Sequence, residues 1–130
     1  MRGLLDTSVF IAMESGRRLD AEGLPAESLI SPVTLAELQV GVLRTSDFSA
    51  RSKRLKTLTV ASGIELLPID DSVAEHWALL RVHLGESKRR AEVNDLWIAA
   101  TALAHRIPLY TQDDDFDSVE GIGSLEVIKV

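Results

Sequence analysis

Along the 130-residue chain, short apolar runs alternate with segments of helical period. The run Arg2 to Leu5 ends at Asp6, and Thr7, Ser8 and the apolar-rich stretch to Met13 predict a strand passing into a helix, with Asp6 at the strand's C-terminal tip. Leu29-Ile30-Ser31 predicts a second strand. Pro32 suits the first turn of a helix that contains Glu37 and whose apolar face carries Leu35, Leu38, Val42 and Leu43. Phe48 to Ser62 reads as a helix with a basic early half (Arg51, Lys53, Arg54, Lys56), and Ile64 to Leu67 as a brief strand closed by Pro68. Another helix starts at Asp71-Ser72, where Ser72 and Glu75 have capping-box spacing, and Val73, Trp77, Leu80 and Leu84 recur at helical intervals until Gly85.

Lys88, Arg89 and Arg90 form a basic connector. Asn94-Asp95 then opens a helix so apolar, from Leu96 through Trp97, Ile98, Ala99 and Ala100 to Ala104, that it must be buried nearly all round as the central helix. Pro108 to Thr111 predicts a strand emptying into Asp113-Asp114-Asp115, Leu125 to Ile128 a final strand, and Ser15 to Ser28 a short helix plus loop. Strands alternating with helices over the whole length predict an α/β fold with a parallel sheet, whose functional groups gather at the C-terminal strand edge. Asp6 and Asp113 both fall there.

A hydrophobic content of 45% fits one compact domain over residues 1–130, burying about two thirds of the surface its unfolded chain exposes. The formal net charge of -6 argues against a general basic footprint for nucleic acid, and a polyanion would be repelled unless cations or local basic patches reverse the field. With no Cys there is no disulfide, thiolate metal site or thiol nucleophile, so a reducing compartment, the cytoplasm, is expected. Asp6 and Glu14 interrupt the N-terminal apolar residues before a signal-peptide core could form, and no apolar run approaches a membrane span.

The acidic residues change the picture most. Asp6, Glu37, Asp95 and the start of the run at Asp113 each stand in apolar sequence near the end or start of an element. A fold that packs these segments together would converge like charges, which a hard divalent cation would stabilise and which suit phosphate chemistry. Each residue also has a local explanation: Asp6 as a helix cap, Glu37 in a capping box with Thr34, Asn94 and Asp95 as caps, and Asp113 to Asp115 as a solvated turn. A small domain offers one strand-edge crevice, so a single cluster accounts for all four at once. An EF-hand is excluded, because Ser118 stands where its loop needs Gly and Ser124 where it needs Glu. His76 and His83 are roughly 10 Å apart along a helix, too far to share an ion. The Lys and Arg residues at 51–56 and 88–90 read as a solvated face and loop, or as phosphate contacts beside an acidic site. Trp77 and Trp97 read as core or subunit-interface residues.

The stretches LDTSVFIA, SPVTLAELQVGVL, NDLWIAATALAHRIPLYTQDDDF and LEVIKV, in this order and spacing, make the chain resemble the PIN-domain ribonucleases, specifically the VapC-type toxins of bacterial toxin–antitoxin pairs. The resemblance implies a three-layer α/β/α sandwich with a central parallel sheet. It places Asp6, Glu37, Asp95 and a fourth carboxylate, Asp113, around Mg²⁺ or Mn²⁺, with Asp115 at a fifth, frequently acidic position. Thr7 and Thr111 match small hydroxyl positions beside the cluster, and Asp114 has no assigned role. The implied activity is endoribonuclease cleavage of RNA phosphodiesters by a metal-activated water. The implied partners are a cognate antitoxin covering the crevice and a second copy in a homodimer, the candidate antitoxin surface being the groove between the first helices and the Phe48 to Ser62 helix. Two rivals are a catalytically inactive PIN-like binding module, which would normally lack one of the carboxylates, and a phosphorelay receiver domain. The receiver fits poorly, since Asp6 stands alone at the first strand end and Leu67-Pro68 ends the middle strand.

Overall fold

Five short strands form one wholly parallel sheet in the computed structural model, which describes residues 1–130. The strands are β1 (Arg2–Leu5), β2 (Glu27–Ile30), β3 (Glu65–Leu66), β4 (Leu109–Thr111) and β5 (Val127–Lys129), and the helices are α1 (Thr7–Ser15), α2 (Pro32–Arg44), α3 (Phe48–Ser62), α4 (Asp71–Glu86) and α5 (Val93–His105). The spatial order is β3-β2-β1-β4-β5. The chain thus works outward from β1 to β3, then returns to add β4 and β5 on the other side of β1. That reversal between β1 and β4 is the point at which open α/β sheets leave a crevice beyond their C-terminal strand ends.

The pleat explains the layers. Leu4 pairs with Leu29 and Leu109, and the next residue, Leu5, pairs with Tyr110. Successive side chains face opposite sides of a sheet. Leu4, Leu29 and Leu109 accordingly enter a core of 15 buried residues with Leu80 and Leu84 of α4 and Leu96 and Ile98 of α5. Leu5, Ile30 and Tyr110 enter a second core of 7, with Val9 and Phe10 of α1, Leu38 of α2 and Ala61 of α3. Helices cover both faces, as a parallel sheet requires, and the result is the three-layer α/β/α sandwich. On the larger side Trp77 of α4 stacks on Trp97 of α5, with ring centroids 5.1 Å apart and planes 23° from parallel. Gly3 of β1 is required by a neighbour, because a Cβ there would collide with the Tyr110 ring.

Several boundaries differ from the sequence expectation. The second strand is Glu27–Ile30, because Ser31 leaves it to cap α2 through a hydrogen bond from the Val33 N–H at 3.1 Å. The Thr34–Glu37 capping box therefore does not form, and Thr34 lies buried inside the helix. Asp70 caps α4, accepting from the Val73 N–H at 3.1 Å, in place of Ser72, and the helix runs one residue past Gly85 to Glu86. The α5 helix begins at Val93 with no side-chain cap, so neither Asn94 nor Asp95 is spent on capping. The third strand shortens to Glu65–Leu66, the fourth starts at Leu109, and the last shifts to Val127–Lys129. Between Ser15 and Ser28 the only helical piece is a single 3-10 turn, Ala21–Gly23. No helix is long and apolar enough to cross a membrane.

Candidate functional site

A crevice of about 290 Å³ opens beyond the C-terminal ends of β1 and β4, and Asp6, Glu37, Asp95, Asp113 and Asp115 all line it. Four elements deliver these residues. Asp6 directly follows β1, Glu37 stands in the second turn of α2, Asp95 in the first turn of α5, and Asp113 and Asp115 in the loop after β4. Asp114 is exposed and turned to another use, an ion pair with Lys129, which also meets Asp117 at 3.1 Å. His76 and His83 lie outside the crevice.

Asp6 is both a cap and a member of the cluster. One carboxylate oxygen, Oδ1, accepts from the Ser8 N–H and so caps α1, while Oδ2 accepts from the Thr111 hydroxyl. The residue is only 3% exposed. Burial pushes its carboxyl above the ordinary value of 3.8 even though the bonds from Thr111 and Ser8 favour the charged form. Glu37 is oriented from the neighbouring helix: the Thr7 hydroxyl lies 2.7 Å from its Oε1 and 3.1 Å from the Thr34 hydroxyl.

Asp95, Asp113 and Asp115 are held differently, since no hydroxyl or backbone N–H donates to their carboxylates and the one side-chain partner of Asp113 is the neighbouring carboxyl of Asp115. The Asp95 carboxyl is pushed up to about 7, first by burial and then by the charges of Asp115, Asp6 and Glu37. Asp113 is raised by burial and by Asp115, against an opposing effect of Arg17. Mutual repulsion is therefore a feature of the crevice, and no three of its acids close into a ready-made coordination shell. The donor set is nevertheless all oxygen and rich in carboxylate, the chemistry that suits a hard divalent cation such as Mg²⁺ or Mn²⁺.

Sequence reasoning placed Thr7 and Thr111 beside the carboxylates but missed the residues that support them. Ser8 is buried, its hydroxyl lies 3.2 Å from that of Thr111, and it accepts from the Gln112 N–H at 2.9 Å. The Thr111 hydroxyl in turn accepts from the Asp113 N–H at 3.0 Å. Ser8 had a signal, since it follows Asp6 by two residues at a strand-to-helix turn. Glu92 and Arg17 also line the crevice. Nothing in the local sequence around Arg17, which follows a helix-ending glycine, marks it as near Asp113.

The chain is 52% identical over 128 residues to Ribonuclease VapC5 of Mycobacterium tuberculosis, covering 98% of this chain and 95% of that protein. It is 44% identical over 129 residues to Ribonuclease VapC4 of the same organism, covering 99% and 97%. Among solved structures it superposes with a TM-score of 0.93 and 49% identity on the crystal structure of a member of the VapBC family of toxin-antitoxin systems, VapBC-5, from Mycobacterium tuberculosis, covering 99% of this chain and 98% of that one. The PIN domain model matches residues 3–122, from the strand that presents Asp6 past the loop that carries Asp113 and Asp115, and the chain belongs to the PIN domain family.

Proposed function

We propose that the protein is a metal-dependent endoribonuclease acting as the toxin of a toxin–antitoxin pair. The observation that carries the reading is the gathering of six acidic residues, spread from position 6 to position 115, into one crevice at the reversal point of the sheet. The high identity to relatives named ribonucleases supports the activity class. In this reading Asp6, Glu37, Asp95 and Asp113 hold Mg²⁺ or Mn²⁺, with Asp115 at the exposed rim. The cation, when bound, supplies positive charge against the charge that develops on the phosphodiester and makes water a competent nucleophile near neutral pH.

The protein's own residues do the positioning. Thr111 and the Ser8 N–H fix both oxygens of Asp6, and Thr7 fixes Oε1 of Glu37, so these two carboxylates meet a ligand without first being ordered. No nucleophilic side chain is needed. A receiver domain is set aside by membership of the PIN family. An inert binding module is disfavoured because the carboxylates are present and share the crevice.

The partners follow from the same reading. A cognate antitoxin is proposed to cover the crevice, and the groove between α1 and α3 gives it an apolar and basic seat, where exposed Met13 and Val60 lie beside Lys53 and Lys56. A homodimer and a cytoplasmic site of action complete the proposal. The deciding experiment is cleavage of single-stranded RNA by the purified free chain. Cleavage in Mg²⁺ or Mn²⁺ that stops in EDTA and leaves 5′-phosphate and 3′-hydroxyl ends is expected, together with growth arrest when the chain is expressed without a partner. Undiminished cleavage in EDTA would sink the metal mechanism.

A further inference from the structure

Arg17 is the one basic residue lining the carboxylate crevice. Its side chain is exposed and uncommitted, since the four ion pairs of the chain belong to Arg2 and Lys129 and no side-chain hydrogen bond involves it. Its backbone, by contrast, is fixed from both sides. Gly16, in the left-handed conformation at φ 73°, ends α1, and the Arg17 N–H folds back to the Ala12 carbonyl at 3.0 Å. Gln112 then ties the following residue down: its Nε2 donates to the Arg18 carbonyl at 3.0 Å and to the Val130 carbonyl at 2.6 Å, while its backbone N–H holds Ser8. Gln112 directly precedes Asp113, so the segment that carries Arg17 is clamped to the loop that carries a crevice carboxylate.

The electrostatics give this cation a task. An RNA strand brings a negative charge with every nucleotide toward a wall of acids. A cation among the carboxylates serves the phosphate being cut, but the neighbouring phosphates would still face repulsion. A guanidinium anchored at the lip, near Asp113 yet not neutralised by an ion pair, is suited to a bidentate grip on one of them. Resting on the ribonuclease reading, we propose that Arg17 binds the RNA phosphate next to the scissile one and so sets where the strand lies across the crevice.

The test compares the parent with Arg17→Ala, Arg17→Lys and Arg18→Ala, the last removing an adjacent charge that does not line the crevice. A single-stranded RNA oligonucleotide is the probe in Mg²⁺, with cleavage kinetics for each protein and direct binding measured in an Asp95→Asn background. Arg17→Ala should raise KM and Kd about tenfold, the scale of one charged hydrogen bond, with kcat changed far less. The slope of log Kd against log salt should fall by about 0.7, the loss of one single-strand phosphate contact. Arg17→Lys should restore the salt slope and part of the affinity. If Arg17→Ala matches Arg18→Ala, or lowers thermal stability while the salt slope stays put, Arg17 is only a local counter-charge and the assignment falls. A parent that neither binds nor cuts RNA overturns the ribonuclease reading and this assignment together.

Discussion

The two halves of the carboxylate crevice are built on different principles. On the β1 side, Asp6 and Glu37 each have an assigned hydroxyl or amide donor, so their positions are set by hydrogen bonds that exist before any ligand arrives. On the α5 and β4 side, Asp95, Asp113 and Asp115 have no hydroxyl or amide donor to their carboxylates, and Asp95 and Asp113 are raised by burial and then by neighbouring acidic charge, that of Asp115 foremost. The protein thus supplies a fixed jaw and a repelled jaw. Burial first, and then the charges of Asp115, Asp6 and Glu37, push Asp95 up to about 7, whereas at Asp6 the bonds from Thr111 and Ser8 oppose the effect of burial. A cation entering the crevice would be met by the first pair and would relieve the second group.

The largest effect expected is on catalysis, where both jaws are needed. Asp6→Asn and Asp95→Asn should each lower RNA cleavage at least about a hundredfold, on the scale of losing a major electrostatic contribution. Survival of near-parent activity in either variant would show that one half is dispensable. A smaller effect isolates the hydrogen bonds of the fixed jaw. Thr111→Val removes the hydroxyl that donates to Asp6 Oδ2 and accepts from the Asp113 N–H, in a fully buried position. It should cost about tenfold in cleavage, as loss of a group supporting a ligand does, and about 1–3 kcal/mol in stability from buried groups left unpartnered. Unchanged rate and melting temperature would mean that Asp6 does not depend on Thr111 for its position.

The difference between the jaws also marks what the sequence could reveal. The parallel sheet, the helix order and the placement of Asp6 and Asp113 at strand ends were readable from periodicity, because Leu4-Leu5 and Leu109-Tyr110 must bury on both faces of a sheet covered by helices. Helix starts were read less well. Three nearby candidates, Ser31, Thr34 and Pro32, compete at α2, and Asp70, Asp71 and Ser72 at α4; the choice depends on where the preceding strand lets go, a tertiary fact. The capping reading of Asp6 and the cluster reading were posed as alternatives, yet a carboxylate has two oxygens and Asp6 uses one for each. The roles of Ser8 and Gln112 escaped notice because the two bond to each other across roughly a hundred residues of sequence, and Arg17 because the Asp113 it lies near is almost as far along the chain; only the β1–β4 pairing brings them together.

Burial of the carboxyls, reinforced by like charge, makes the metal-free protein sensitive to pH. Between the ordinary value of 3.8 and about 7, folded Asp95 keeps a proton that the unfolded chain has lost, and Asp6 and Asp113 are shifted in the same direction. The folded state then binds more protons than the unfolded one, so stability falls as pH rises through that window and the loss is complete above it. Melts in EDTA should be lower at pH 8 than at pH 5 by an amount equivalent to about 1–2 kcal/mol, less than the full shift because Asp95 and Asp113 are partly exposed. A melting temperature that climbs from pH 5 to pH 8 would contradict a cluster of buried, mutually repelling carboxyls.

The smallest effect is the most specific. Asp113 follows a strand, caps no helix, and has no hydroxyl or amide donor to its carboxylate, so Asp113→Asn removes charge while leaving every hydrogen bond of the fixed jaw in place. Without metal the variant should be as stable as the parent or more so by about 0.5–1 kcal/mol, a modest relief of like charge at intermediate dielectric at a partly exposed site. Millimolar Mg²⁺ should reverse that order, because a ligand stabilises by RT ln(1 + [L]/Kd) and a variant with weakened affinity gains less at the same concentration. The measurement is a pair of melts for each protein, in EDTA and in Mg²⁺. If Mg²⁺ shifts parent and variant equally, Asp113 stands outside the ion's reach, and the repelled jaw reduces to Asp95 with its exposed neighbour Asp115.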